Sequence, residues 1–416
     1  MKPRGIASGF IVFLLAVIAL DSRAAWAHGE RNQEPFLRMR TIHWYDVSWS
    51  ADKVGVNDEV EMRGKFRVFE DWPKHLFELA AAYLNLGTRG PVFVKVGAWI
   101  GETPVMQSTK LEYGRDYEFR LLIKARVPGE HHVHPMINIE DAGPLLGPGK
   151  MVEVTGNAAD FVYPLKTIDK IEIANLETWA IGNVVWNHLY WAGLAVIWLA
   201  FWMIRGPVLI PRYRAMASGR EDSLISNGDR AGGAALVVIT LVTIAYGVIS
   251  TNAKYPRTSA LQGGRVRVFP LPAEKDGVDV RAHRGDYDVP GRSLRLTIDV
   301  ENNGSRPIRL GEFTAANLRF VNRDVPEAVK GVDPSFPQDL IAPNGLQVSD
   351  PKPIAPGEKR TIKIEASDAA WETERLASLM GNPDSSYGAL LFFFDDEGKR
   401  TITEVSGPAI PVFTSL

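Results

Sequence analysis

No cysteine occurs among the 416 residues. A disulfide framework is therefore excluded, and thiolate metal ligands go with it. A type 1 blue-copper centre, which needs a cysteine sulfur, is excluded on the same ground. Charge of one sign is also lacking: 47 Lys and Arg face 49 Asp and Glu, a net charge of −2. There is no basic tail or stripe, so nucleic acid is not expected as a partner. Methionine is sparse, nine in all with no cluster beside the histidines, which argues against a carrier that exchanges a soft metal ion through sulfur.

Long apolar runs, by contrast, are present. Residues 1–27 read as an export signal, with Lys2 and Arg4, an apolar stretch from Ile6 to Leu20, and Ala25-Trp26-Ala27 as a small-x-small cleavage site. Cleavage there makes His28 the first residue, with a free α-amine of pKa about 7.7–8.0 beside its imidazole. Two further runs, 184–204 and 231–251, are long enough to cross a bilayer. Trp186, Tyr190 and Trp191 lie at one end of the first, with Trp198 and Trp202 toward the other, as an aromatic belt would. The intervening segment 205–230 carries Arg205, Arg212, Arg214, Arg220 and Arg230 against Glu221, Asp222 and Asp229. The positive-inside tendency makes that loop cytoplasmic and puts both flanking regions outside, in agreement with the export signal.

Those flanking regions, 28–180 and 262–416, read as β. Tyr117–Arg126 and His132–Ile139 are strand-like runs linked by Val127-Pro128-Gly129-Glu130. Leu294–Val300 alternates, Asn302-Asn303-Gly304 turns, and Ile308–Leu310 returns; Leu390–Phe394 and Arg400–Thr403 flank Asp395–Gly398. Short strands with frequent turns predict a β-sandwich on each side of the apolar pair. A short helix is expected over Asp368–Met380, where Ala369, Trp371, Leu376 and Met380 suit one face. The basic segment Phe36–Arg40 is expected to be an alternating strand with a solvated face, and His75 and His283 to be surface residues. Asn187 and His188, near one end of the first apolar run, are expected to serve structure or helix pairing.

The chemistry-bearing feature is His131-His132-Val133-His134. In a strand, residues two apart share a face, so His132 and His134 point together and His131 points away. Two imidazoles at this spacing can share one ion, leaving room for the imidazole and amine of His28. A nitrogen donor set without thiolate suits Cu, Zn or Ni, and copper is preferred by the affinity order. A plain strand with polar residues on its solvent face is the competing account of His-x-His.

The stretch from His28 to Trp49 strongly resembles the mature N-terminus of the B (beta) subunit of the copper membrane monooxygenases, a family that includes ammonia monooxygenase and particulate methane monooxygenase. Pro128–His134, Gly143–Gly149, Val289–Arg292, Ile308–Phe313, Ser367–Trp371 and Ile410-Pro411 match as well. The resemblance implies a mainly β fold, two cupredoxin-like β-sandwich domains joined by two transmembrane helices. It implies a copper site built from His28, His132 and His134. A second copper position of some methane-oxidising members matches His43, but its histidine partner matches Arg67, whose charge repels copper. A further contributor matches Glu404, so His43 and Glu404 are weaker candidates; a hydrogen-bonded structural role for His43 is the favoured expectation.

The resemblance also implies partners: two integral-membrane subunits, A and C, in a three-subunit protomer repeated around a threefold axis. The expected reaction inserts one oxygen atom of O₂ into ammonia, giving hydroxylamine, or into a small hydrocarbon such as methane, giving an alcohol. Because the family has a further metal site in the latter of these two membrane partners, no catalytic residue is assigned in this chain. The alternative is a non-catalytic periplasmic copper-binding or scaffold protein of the membrane. Residues 31–37 and 407–413 look more like ammonia-oxidising members, whereas 48–49 and 390–394 look more like methane-oxidising ones. Ammonia is the expected substrate.

Overall fold

The computed structural model describes residues 33–413, apart from 77, 80, 141, 168–169, 206–209, 255–264, 274–276 and 383–384. The export signal read over 1–27, and His28, lie outside the described residues. The chain divides into two compact units. The first combines residues up to Phe161 with those from Gly264 onward; the second is Val162–Gly263.

In the first unit, a short helix α1 (Pro35–Arg40) leads into ten strands. These are β1 (Ile42–Trp49), β2 (Lys53–Gly55), β3 (Glu59–Val68), β4 (Ala82–Gly87), β5 (Phe93–Ile100), β6 (Thr103–Pro104), β7 (Asp116–Ala125), β8 (Gly129–Ile139), β9 (Gly143–Leu146) and β10 (Lys150–Thr155). Alternation forms them: β3 buries Val60, Met62, Phe66 and Val68 while Glu59 and Arg63 face out. One antiparallel sheet runs β1-β3-β7-β5-β6, and a second runs β2-β10-β8-β4 with β9 also on β8. The Val127–Glu130 link does not close a hairpin. It carries the chain from the first sheet to the second, with Gly129 at φ +132°. Leu121 and Ile123 of β7 then meet Val133 and Ile137 of β8 in one core, each fully buried side chain contributing about 1.5–3 kcal/mol.

The C-terminal part of this unit supplies β13 (Val278–Asp288), β14 (Ser293–Asn302), β15 (Ile308–Ala315), β16 (Leu318–Val321), β17 (Ile341–Ala342), β18 (Leu346–Val348), β19 (Lys359–Ser367), β20 (Ser386–Asp395) and β21 (Arg400–Val412). Nine strands follow the order β17-β16-β15-β20-β21-β13-β14-β19-β18. The two halves are joined by β21, which pairs with β20 through Arg400–Pro408 and then with β13 through Ala409–Val412. Ile308 and Ile354 exchange backbone hydrogen bonds of 3.0 and 2.8 Å, which brings β15 beside the segment after β18 and folds the sheet over. The β20–β21 hairpin turns at Asp395–Gly398, where Asp395 Oδ1 accepts the Glu397 and Lys399 amides and Gly398 sits at φ +82°.

Two local expectations need correction. Phe36–Arg40 is helical, with Pro35 at its first turn, and Arg38 and Arg40 are buried rather than solvated. Each guanidinium finds an anion: Arg38 lies 3.7 Å from Glu374 and donates to its carbonyl, and Arg40 pairs with Asp71 at 3.0 Å. The helix expected over Asp368–Met380 is two pieces, Ala370–Thr373 and a 3-10 stretch Leu376–Gly381. Arg375 between them adopts φ +58°, which no α-helix continues.

The N- and C-terminal β regions share a tightly fitted seam. A Cβ on Gly388 would lie 2.3 Å from the Met39 carbonyl oxygen, so only glycine lets α1 rest on β20. Tyr45 packs with Leu390 and Phe392, and the Trp49 amide donates to Ser335 Oγ at 3.0 Å. Asn317, at φ +71°, donates its side-chain amide to the Leu146 carbonyl at 3.0 Å.

Among its described residues the second unit holds a small hairpin, β11 (Leu165–Lys166) with β12 (Glu172–Ile173), and the α-helices α2 (Ile181–Arg205), α3 (Ile210–Ala217) and α4 (Asn227–Lys254). Both α2 and α4 are long and apolar enough to cross a membrane. At 1.5 Å per residue they extend about 37 and 42 Å, more than a hydrocarbon core of about 30 Å. Their apolar side chains, Trp186, Leu189, Leu241 and Val242 among them, stand exposed. Tyr190 and Thr243 join the two helices through a 2.8 Å hydroxyl–hydroxyl bond. Asn187 and His188 bond to carbonyls one turn back on their own helix.

Candidate metal centre

Strand β8 lies between β10 and β4, and its pleat sorts the His-rich stretch. Val133, Ile137 and Ile139 turn into the core. His131 turns the same way, its ring edge-on to Phe93 and its Nε2 2.8 Å from the Val127 carbonyl. On the other face the rings of His132 and His134 stand nearly perpendicular, 89° apart, with centroids separated by 4.4 Å.

His134 is the better fixed of the two, only 3% exposed. Its Nδ1 lies 2.9 Å from the Gly147 carbonyl oxygen. A carbonyl only accepts, so Nδ1 carries the proton and Nε2 is left with its lone pair. That Nε2 lies 2.9 Å from Nδ1 of His132. In the neutral pair, the proton between them belongs to His132. Two nitrogens bound at right angles to one ion, at about 2.0–2.1 Å each, would sit about 2.9 Å apart. The separation of the hydrogen-bonded pair thus matches the one such an ion would give.

Glycines give these rings their room. A Cβ on Gly149 would lie 2.2 Å from His134 Cε1 and 2.6 Å from His132 Cε1. Gly87 stands directly opposite His134 on β4, where a Cβ would meet Leu146 Cδ2 at 2.8 Å. The Gly143–Gly149 motif therefore has a physical reason: it supplies the carbonyl that sets the tautomer and the space for both rings. Gln33 bonds to the same segment, donating to the Pro144 carbonyl and accepting the Leu146 amide at 3.2 Å.

His43 lies elsewhere, on β1, and is 2% exposed. Its ring stacks on Phe69 at 4.7 Å and its Nε2 is 2.6 Å from the Met39 carbonyl. Burial pulls its pKa down to about 4; the Met39 hydrogen bond opposes this and the Arg67 charge adds to it. Arg67, its cross-strand partner, is forked onto Asp116, which also accepts the Tyr45 hydroxyl at 2.8 Å. The Glu404 carboxylate accepts the Glu70 and Asp71 amides at 2.8 and 3.4 Å. Burial pushes its pKa up to about 7, against the pull of those amides and of Arg67. The Arg67 guanidinium is a charge that both groups feel. Among the described residues no group of three or more His, Asp or Glu is arranged to hold an ion. His283 is exposed and 3.1 Å from Asp299, and His75 is exposed beside Phe36.

Fold and site together define a mainly β protein with two membrane-length helices and a paired-imidazole site on one sheet face. The chain belongs to the monooxygenase B-subunit family, whose model matches residues 29–413. It is 43% identical over 400 residues to a protein of Methylococcus capsulatus (Bath) named particulate methane monooxygenase alpha subunit; the match covers 96% of this chain and 95% of that protein. Among solved structures, the cupredoxin domain of amoB from Nitrosocaldus yellowstonii aligns at 17% identity and TM-score 0.25, covering 32% of this chain and 98% of that one. A cohesin module from Clostridium perfringens aligns at 11% identity and TM-score 0.17, covering 28% and 97%.

Proposed function

We propose that the chain is the copper-binding subunit of a membrane monooxygenase, with copper held by His132, His134 and the imidazole and amine of a processed N-terminal His28. The observation that carries this reading is the 2.9 Å approach of two imidazole nitrogens, with the Gly147 carbonyl orienting the His134 ring so that its Nε2 faces His132. Reach supports the third ligand. Gln33 is anchored to β9, whose Leu146 is paired with Met136, two residues from His134. A stretch of five residues before Gln33, at up to about 3.3–3.6 Å each, is long enough to span from that anchor to the pair.

Copper, when bound, supplies the one-electron chemistry that activating O₂ requires. The chain's own groups bind and orient: Gly147 fixes the His134 ring, the absent side chain of Gly149 leaves both rings free to converge, and the seam holds β9 in place. The substrate we favour is ammonia, oxidised to hydroxylamine, on the segments at 31–37 and 407–413; methane, named in the Methylococcus relative, is the alternative. We place the β regions on the periplasmic side because the 205–230 loop is rich in arginine. The partners are two integral-membrane subunits in a three-subunit protomer that assembles as a trimer.

The test is purification of the complex from membranes, with N-terminal sequencing, copper analysis and assays on ammonia and methane. Processing to His28 and loss of copper in the His132→Ala/His134→Ala double variant are expected. A different N-terminus, or undiminished copper in that variant, overturns the assignment.

A further inference from the structure

Nine methionines are spread through the sequence with no cluster beside the histidines, yet the strand register sets one directly across from them. Met151 on β10 is directly opposed to His132 on β8. Residues opposed across an antiparallel pair point to the same face, with Cβ atoms about 4.5–5.5 Å apart. Burial fixes which face that is. Val152 and Val154 on β10 are in the core, as is Val133 on β8, so Met151, His132 and His134 share the outer side. Met151 is 39% exposed, high for an apolar side chain of a central strand.

We infer that the Met151 thioether is a further ligand, recruited by copper in its cuprous form. This rests on the imidazole pair being the copper site. The chemistry follows from ligand softness. Imidazole serves Cu(II) and Cu(I) alike, whereas a thioether adds affinity mainly for soft Cu(I). Three flexible bonds let the Met151 sulfur swing onto an ion held at His132 without backbone movement. His132 is the less buried ring of the pair, which makes its side the route by which an ion arrives. Met151 therefore makes this face an entry and retention point for the reduced ion. Met136, two residues beyond His134 on the same strand, lies behind the more buried ring and is opposed to Leu146, so it is the internal control.

The experiment uses the full chain in the purified complex, loaded anaerobically with Cu(I) and examined by copper X-ray absorption and competition titration. Wild type shows nitrogen and sulfur scatterers together. Met151→Leu loses the sulfur component and binds Cu(I) more weakly by at least about tenfold, since losing even an outer-shell partner of a metal costs about 10- to 100-fold. Its Cu(II) affinity stays unchanged, and Met136→Leu behaves as wild type. Nitrogen-only scattering in wild type, or sulfur persisting in Met151→Leu, overturns the role of Met151 and leaves the histidine assignment standing. Cu(I) retained in full by His132→Ala/His134→Ala overturns both.

Discussion

Asp46 and Arg400, 354 positions apart, pair both carboxylate oxygens with both terminal guanidinium nitrogens across the seam of the β unit. Asp46 reaches its partner from φ +53°, at the irregularity between Tyr45 and Ser48 where β1 slips its register on β3. A non-glycine residue held there is strained by about 1–3 kcal/mol, and the fork compensates.

Arg400→Met is therefore expected to lower stability by about 2–3 kcal/mol, the scale of hydrogen bonds to a charged group. Burial alone would raise the Asp46 pKa, but the hydrogen bonds and charge of Arg400 outweigh it and hold the carboxyl below its usual range. Stability from such a group is present above the unfolded pKa and is lost as pH falls through the folded one. Denaturation curves should thus show the gap between variant and wild type widest near neutrality and narrower in acid.

Gly149→Ala is expected to abolish the imidazole geometry while the fold survives. The added carbon pushes on both rings at 2.2 and 2.6 Å, and the rings yield more easily than the strands. Copper affinity should fall by about 10- to 100-fold or more, with far-UV circular dichroism unchanged.

Gly388→Ala meets backbone rather than a side chain, at the Met39 carbonyl. Overpacking of this kind costs about 1–3 kcal/mol. A reduced melting temperature with faster amide exchange in α1 and β20 is the expected result.

His43 and Glu404 make an opposed pair. The buried imidazole, with its pKa lowered to about 4, stays neutral in the fold, so its contribution is present above its unfolded value of 6.5 and lost as pH falls toward 4. The Glu404 carboxyl, raised to about 7, behaves in reverse: its contribution is present below the unfolded value of 4.5 and lost as pH rises through 7. Over nearly one window the two slopes cancel. Glu404→Gln removes one of them, so its melting temperature should drop more steeply than that of wild type between about pH 6.5 and 4. Parallel curves would refute the pairing.

Much of the candidate centre is legible in the sequence because it rests on parity. His132 and His134 share a face through the pleat alone, and the apolar alternation of β3, β14 and β8 marks which side is core. What the sequence hides is register. Met151 opposite His132, Gly87 opposite His134 and Asp46 against Arg400 are pairings between segments that no local pattern aligns. A solvated strand at Arg38 and Arg40 is the wrong expectation for the same reason. Their anions lie on Glu374 and Asp71, and only tertiary pairing makes burying two guanidiniums tolerable. The turn signal at Val127–Glu130 is visible, but not that it bridges two sheets instead of closing a hairpin.

The bond from Asn317 to Leu146 ties the C-terminal strands to the segment whose next carbonyl orients His134. Mutational scars anywhere along that lever are thereby expected to be felt at a distance: if the proposed copper site is right, a lesion in the distal half of the polypeptide will register as an altered copper spectrum, with both imidazoles intact.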